Sequence, residues 1–286
     1  MPHNRATHHC IASYLRSLGA VMKNIRTGPP PSPISASNPL TVMSFNIRLG
    51  LGRESPQGKE IDMSSEWGRN LDAVIAAIRS VDPDIVGLQE VADSNQLREI
   101  ATALDMNYAF VWHDAGSASE PWWGVGVLSK HPITASKNVV MGEERNFIIA
   151  TVDAGGREIA VVNVHVPYLE KEEKSLRQLM RELADVRLPV VLMGDFNLKL
   201  EKTTLDDPGK KRLQPVLDRF QDSAMEATTK SAERVFLTGT FRNGARIDYV
   251  FAENGRFEVL DAGIAPDRHH DASDHIAYFG KLIFKR

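Results

Sequence analysis

The segment Pro189-Val190-Val191-Leu192-Met193-Gly194-Asp195-Phe196-Asn197 decides the fold. Its four consecutive apolar residues show no polar alternation, which predicts a strand covered on both faces rather than one facing water. It then stops abruptly at a glycine, an aspartate and an asparagine. A buried strand ending in a cluster of polar groups belongs to a layered α/β architecture, with helices packed outside the sheets.

The rest of the chain repeats that pattern from Thr41 onward. Further short apolar runs predict strands at 41–45, 85–88, 125–128, 147–152, 159–164, 247–251 and 276–283. Between them, Leu71, Val74, Ile75, Ile78 and Val81 follow helical spacing. So do Leu176, Leu179, Met180 and Leu183 within 170–186. Residues 201–214, with Pro208-Gly209 and the charge run Lys210-Lys211-Arg212, read as a solvated surface excursion. No repeat and no second linker interrupts residues 41–286, which are expected to form one domain.

Residues 1–40 differ in character. They carry Arg5, Arg16, Lys23 and Arg26 with no acid, then Gly28-Pro29-Pro30-Pro31-Ser32-Pro33, which no helix survives. Three readings stay open for this extension: an organellar targeting segment, a disordered tail, or a start codon called upstream of Met22 or Met43. The chain as a whole is 42% hydrophobic and 25% charged, which excludes extended disorder and low-complexity classes. Its single cysteine, Cys10, excludes an internal disulfide and a Cys-rich zinc module and fits a reducing compartment such as the cytoplasm. No apolar run is long enough to cross a membrane as a helix. With a net charge of −3, and four positive charges in the extension, residues 41–286 are acidic. Proteins that bind nucleic acid through phosphate neutralisation are usually basic, so the balance tilts towards a small substrate or a lipid headgroup over long duplex DNA.

The chemistry lies where the apolar runs end. Asn46 closes the first, Gln89-Glu90 the second, His165 a later one, and Asp195-Phe196-Asn197 the segment quoted above. Asp248 sits within Arg246-Ile247-Asp248-Tyr249, and Ser273-Asp274-His275 precedes the last strand. Any one of these residues is ordinarily a turn or a helix cap. Together they matter, because α/β sheets gather their strand ends into one crevice. Glu90, Asp195, Asp274, Asn46 and Asn197 offer hard oxygen ligands suited to Mg²⁺ or Mn²⁺. His165 and His275 can donate hydrogen bonds to a phosphoryl oxygen, Asp248 can orient an imidazole, and Asp195 can deprotonate a water. The set has the composition of a metal-assisted phosphoester hydrolase.

Phe45-Asn46, Gln89-Glu90-Val91, His165, Gly194-Asp195-Phe196-Asn197, Ile247-Asp248-Tyr249 and Ser273-Asp274-His275 resemble, in order, the motifs of the DNase I-like endonuclease/exonuclease/phosphatase superfamily. The resemblance implies a four-layer α/β sandwich of two packed mixed sheets flanked by helices. It implies hydrolysis of a phosphodiester or phosphomonoester by activated water, without a covalent intermediate. It assigns Mg²⁺ to Glu90, completed or supported by Asn46 and Asp274. Asp195 is then the water-activating carboxylate, Asn197 its partner, and His275 (with Asp248) and His165 the stabilisers of the phosphorane. Arg145 falls where many members place a phosphate-contacting arginine. Arg48 stands where some nucleases of the family carry an acid, a departure from the abasic-site branch.

The substrate class stays open among small phosphoesters, lipid headgroups and DNA or RNA. A catalytically inactive binding module on the same fold is the reading from another class, and it would be expected to lack part of the set. A serine hydrolase is excluded by the missing Gly-x-Ser-x-Gly elbow. Asp267-Arg268-His269-His270-Asp271 reads as a substrate-side loop, with a transition-metal site as its alternative. Trp122-Trp123 reads as packing ahead of a strand, with an apolar substrate contact as its alternative.

Overall fold

A computed structural model describes residues 38–53, 70–113, 123–141, 145–168, 172–199 and 208–285. The extension up to residue 37, Trp122, residues 142–144 and residues 201–207 lie outside the described residues.

Twelve strands form two six-stranded sheets among the described residues. The first holds β1 (Leu40–Asn46), β2 (Ile85–Val91), β3 (Asn107–Trp112), β4 (Gly124–Ser129), β11 (Phe257–Ile264) and β12 (Tyr278–Phe284), in the order β11-β12-β1-β2-β4-β3. The second holds β5 (Ile133–Val140), β6 (Asn146–Asp153), β7 (Glu158–His165), β8 (Val190–Asp195), β9 (Phe220–Asp222) and β10 (Asp248–Glu253), in the order β5-β6-β7-β8-β10-β9. Both sheets are mixed. Each contains one parallel pair, β1 with β2 and β7 with β8, flanked on both sides by antiparallel neighbours.

The inner faces meet in a core containing Val42, Ile85, Val127, Val161, Val191 and Val250. Outside the first sheet, α1 (Leu71–Val81) and α2 (Ser94–Leu104) bury Val74, Ile78, Leu97 and Ile100 against Met43 and Val86. Outside the second, α3 (Glu172–Leu183) and α4 (Pro208–Leu217) bury Leu176, Leu179, Leu213 and Val216 against Val162 and Leu192. Two short helices, α5 (Ser223–Glu226) and α6 (Lys230–Thr238), pack on β11. The result is the expected four-layer sandwich. Every residue of β8 is buried, as its unalternated apolar run requires.

One expectation is corrected. The surface excursion expected over 201–214 is helical from Pro208 onward, because Leu213 and Val216 recur at helical spacing and bury under the second sheet while Lys210 to Arg212 stay at the solvent side.

Buried polar groups link the two sheets beneath one end. Gln89 Nε2 donates to Asn163 Oδ1 at 2.6 Å, crossing from β2 to β7. Asn163 Nδ2 in turn donates to the carbonyls of Leu88 and Gly126 at 2.9 and 2.8 Å. Gly87 makes room for this link, since a Cβ there would lie 2.8 Å from Asn163 Cγ. Hydrogen bonds in such a dry setting resist breaking, because an orphaned partner bears the full desolvation penalty.

Candidate active site

Register places the polar strand ends side by side. Asp195 pairs across β8 with His165 of β7 on one side and with Asp248 of β10 on the other. On the facing sheet, Asn46 pairs with Gln89, one residue before Glu90. A bulge between Leu88 and Val91 against β4 sets Glu90 at φ 51°. Bulges re-aim side chains in this way next to functional sites. The end of β8 and the turn after it need two special backbones. Gly194, at φ 148°, brings its Cα so close to Val164 that a Cβ would lie 2.0 Å from the Val164 carbonyl oxygen. Asn197 takes φ 52°, a conformation asparagine tolerates better than most residues.

Asp195 is the hub. Its Oδ2 accepts from Asn46 Nδ2 at 3.1 Å and lies 3.5 Å from His165 Nε2 and 3.7 Å from His275 Nε2. Its Oδ1 accepts from the Asn197 amide at 2.9 Å, while Asn197 Nδ2 anchors to the Val166 carbonyl at 2.9 Å. The same Asn46 amide nitrogen also donates to Glu90 Oε1 at 3.0 Å, and Asn46 Oδ1 accepts from the Arg48 amide. Asn46 is therefore a bracket between two carboxylates, one from each half of the site. Ser273 Oγ donates to the Asn46 carbonyl at 2.8 Å and so ties the Ser273-Asp274-His275 segment to the end of β1.

His275 is held from behind by Asp248, with Nδ1 to Oδ2 at 2.9 Å and both side chains buried. Asp248 is set by Thr240, whose Oγ1 accepts from the amides of Ile247 and Asp248. The Phe241 ring lies against His275 at 4.8 Å. Asp274 Oδ2 stands 3.6 Å from Arg48 Nε, so the residue that departs from the abasic-site pattern neutralises a carboxylate at the rim. Arg145 lies over the Trp123 ring at 4.1 Å, and Trp123 in turn contacts His165 at 5.1 Å.

The electrostatics follow from burial. Desolvation lifts Glu90 above the usual carboxylate range, opposed by its hydrogen bond from Asn46. Desolvation also lifts Asp195 to about 7, with His275 pulling the other way. Burial alone would lower His275, but Asp248 and Asp195 outweigh it and raise it to about 10, so this ring carries a proton on both nitrogens. His165 falls well below the imidazole range, first through burial and then through the charge of Arg145. One histidine is thus a cation and the other neutral.

These observations bear on a metal. Asp195, Asp248 and His275 are close enough to share an ion. An imidazolium flanked by carboxylates on both nitrogens, however, is a donor with no lone pair to give. The Glu90 side is different: hard oxygens, and a carboxylate that burial lifts despite the hydrogen bond from Asn46, with nearby Asp274 raising it further. That donor set fits a hard divalent cation.

The structure thus brings Asn46, Glu90, His165, Asp195, Asn197, Asp248 and His275 into one crevice, with Asp274 and Arg145 at its edge. The loop around Asp267 is not drawn in as a metal site. Asp267 pairs with Arg234, His270 Nε2 bonds the Ala265 carbonyl at 2.9 Å, and Arg268 bonds His269. Sequence reasoning missed His113, Thr240 and Phe241. His113 follows the run Tyr108-Ala109-Phe110-Val111-Trp112, a strand end of the same kind as the others, and the apolar run before it is the signal that points to it. Trp123 is a packing residue, and what it packs on is the site: His113, His165 and Arg145.

No match to a curated protein was found by sequence. Among solved structures, an endonuclease/exonuclease/phosphatase from Beutenbergia cavernae is 21% identical with a TM-score of 0.65, covering 86% of this chain and 72% of that one. A mannosyl-6-phosphatase of Bacteroides thetaiotaomicron is 20% identical with a TM-score of 0.63, covering 86% and 100%. D. rerio TDP2 complexed with single strand DNA product is 14% identical with a TM-score of 0.61, covering 85% and 98%. At these identities the likeness is one of fold. The sequence itself matches the endonuclease/exonuclease/phosphatase family over residues 43–275, more than half of the chain, and the protein belongs to that family.

Proposed function

We propose that residues 41–286 form a Mg²⁺-dependent phosphoesterase that hydrolyses a phosphodiester or phosphomonoester of a small molecule or lipid headgroup. Family membership supports a phosphoesterase, and the observation that carries the mechanism is the convergence of Asn46, His165, His275 and the Asn197 amide on the single carboxylate Asp195. Asp195 accepts a proton from a water placed in line with the scissile bond, and that water attacks phosphorus as the leaving oxygen departs. A carboxylate lifted towards neutrality by burial is a better base than an ordinary aspartate. His275, cationic and held by Asp248, and His165, neutral, donate from opposite sides to the non-bridging oxygens as charge builds on them. Asn197 keeps Asp195 turned towards the water, and Arg145, braced on Trp123, meets the phosphate from the rim.

Glu90 and Asp274 would hold the cation, with Mn²⁺ as a substitute, and Asn46 would support it by orienting Glu90. When bound, Mg²⁺ neutralises negative charge on the phosphoryl and leaving oxygens. The acidic balance of residues 41–286 favours a small substrate over long nucleic acid.

The test is hydrolysis of bis-p-nitrophenyl phosphate with Mg²⁺ and after chelation, followed by a panel of sugar phosphate, inositol phosphate, sphingomyelin, DNA and RNA. Chelator-sensitive turnover that Asp195→Asn abolishes is the expected result. Cleavage confined to DNA or RNA would replace the small-substrate assignment with a nuclease. Binding without turnover of any of them would replace the enzyme with a binding module.

A further inference from the structure

His275 has Asp248 behind it, but among the described residues no carboxylate bonds His165 Nδ1. What stands there is a second imidazole. His113, at the end of β3, is 4% exposed, and its ring centroid lies 6.2 Å from that of His165, itself 3% exposed. His113 Nδ1 accepts the amide proton of Asn146 at 2.9 Å, so in the neutral ring the proton sits on Nε2. That Nε2 is buried with no hydrogen-bond partner among the described residues. His165 shows the complement. Its Nε2 faces Asp195 Oδ2 at 3.5 Å and is the nitrogen that needs the proton, while its buried Nδ1 has no hydrogen-bond partner among the described residues. One ring is left with an orphan donor and its neighbour with an orphan acceptor. Buried polar groups are rarely left unmade, and such orphans call for an explanation.

We propose that His113 is a positioning residue for His165, its Nε2–H donating to His165 Nδ1 and thereby fixing His165 in the tautomer that presents Nε2–H to the reacting phosphoryl group. The separation permits it: one hydrogen bond of about 3 Å plus the two ring radii spans all but roughly an ångström of the centroid distance. Hydrogen bonds of a resting site are commonly long and tighten when substrate is bound. Trp123 limits the ring motion, packing edge-on against His113 at 4.6 Å and against His165 at 5.1 Å. Burial and the charge of Arg145 hold both rings well below the imidazole range, which keeps His113 a one-proton donor and His165 a one-proton acceptor. The two histidines of the site are then oriented by opposite devices, a carboxylate behind the cation and an imidazole behind the neutral ring.

This assignment rests on the role proposed above for His165, so its test reads the tautomer directly as well as turnover. Long-range proton–nitrogen correlation spectra of the full chain, with the rings assigned through His113 and His165 variants, report which nitrogen of His165 is protonated. The expected result is Nε2–H in the wild type. His113→Asn keeps an oxygen to accept from Asn146 but has no group at the Nε2 position. It should leave His165 a mixture of tautomers and lower kcat about tenfold with little change in KM. His113→Gln restores a donor at the Nε2 position and should restore both. An Nδ1–H tautomer in the wild type, or an unchanged tautomer in His113→Asn, overturns the pairing. The expected tautomers in a protein without phosphoesterase activity uphold the pairing and overturn the catalytic reading instead.

Discussion

Asp248 holds His275 through a 2.9 Å contact between Oδ2 and Nδ1, and neither side chain is open to water. The carboxylate thus both orients the ring and keeps it cationic. Asp248→Asn preserves the shape but removes the charge, and should lower kcat by about 10²-fold or more. In a double-mutant cycle with His275→Ala, the combined variant should be scarcely worse than the worse single one, because the two act as a unit. Multiplying losses would show that they work separately.

Asp195→Asn isolates chemistry from folding. The amide retains the acceptor for the Asn197 amide but cannot take a proton, so turnover should fall about 10³-fold. Burial raises the carboxylate to about 7, meaning that its charged form opposes folding above that pH. At pH 8 relief of that burial cost offsets the loss of the acceptor that Oδ2 gives Asn46, so the melting midpoint of the variant should stay close to that of the wild type, as scanning calorimetry can measure. A large loss of stability would mark Asp195 as structural.

Glu90 is the residue to test for the cation. Mg²⁺ at about a hundred times its dissociation constant should stabilise the wild type by roughly 2.7 kcal/mol through mass action alone. Glu90→Gln should abolish that stabilisation, read as a missing shift in the melting midpoint. A shift that survives the substitution places the ion elsewhere.

The buried neutral histidines make stability depend on pH. His113 is held below the imidazole range by burial, then by Arg145, whereas in the unfolded chain it titrates near the ordinary value of about 6.5. Below that value the unfolded chain binds the proton that the folded one refuses. The stabilisation is complete above about pH 6.5 and is lost as pH falls through it. His113→Gln should show a shallower decline in melting midpoint between pH 7 and 5, and the difference between the two curves belongs to His113.

A buried ion pair away from the reacting groups provides a control. Asp222 accepts from Arg246 Nη1 and Nη2 at 3.1 and 2.7 Å and also caps Ala224. Asp222→Ala leaves the guanidinium unpaired and should cost about 3–5 kcal/mol in denaturant unfolding. Pairing Asp222→Leu with Arg246→Met should recover most of it.

Much of this was legible in the sequence because the second sheet advertises itself. The runs ending in His165 and Asp195 are unalternated, so their strand character and their polar ends could be read together. The edges were not legible. β5, Ile133–Val140, alternates weakly around Lys137 and Asn138, and β11 is interrupted by a register shift between Val259 and Asp261, so neither shows an apolar run. The helix from Pro208 was hidden by its charged first turn. In the site, residue types and strand ends announced the carboxylates and histidines, but not which pairs would form. That Asn46 would bridge Glu90 and Asp195, and that Arg48 would meet Asp274, depends on how two sheets face each other, a relation no local pattern encodes.

The crossing bond from Gln89 to Asn163 has a mechanical meaning. In the proposed mechanism Glu90 hangs from one slab and Asp195 from the other, so turnover by that mechanism would report how accurately the two halves are docked. This amide pair works as a dowel, and on the proposed mechanism a shear of about an ångström between the slabs would stop turnover before the protein melted. Loosening the dowel by Asn163→Ala should therefore produce a protein that is folded by spectroscopy yet slow.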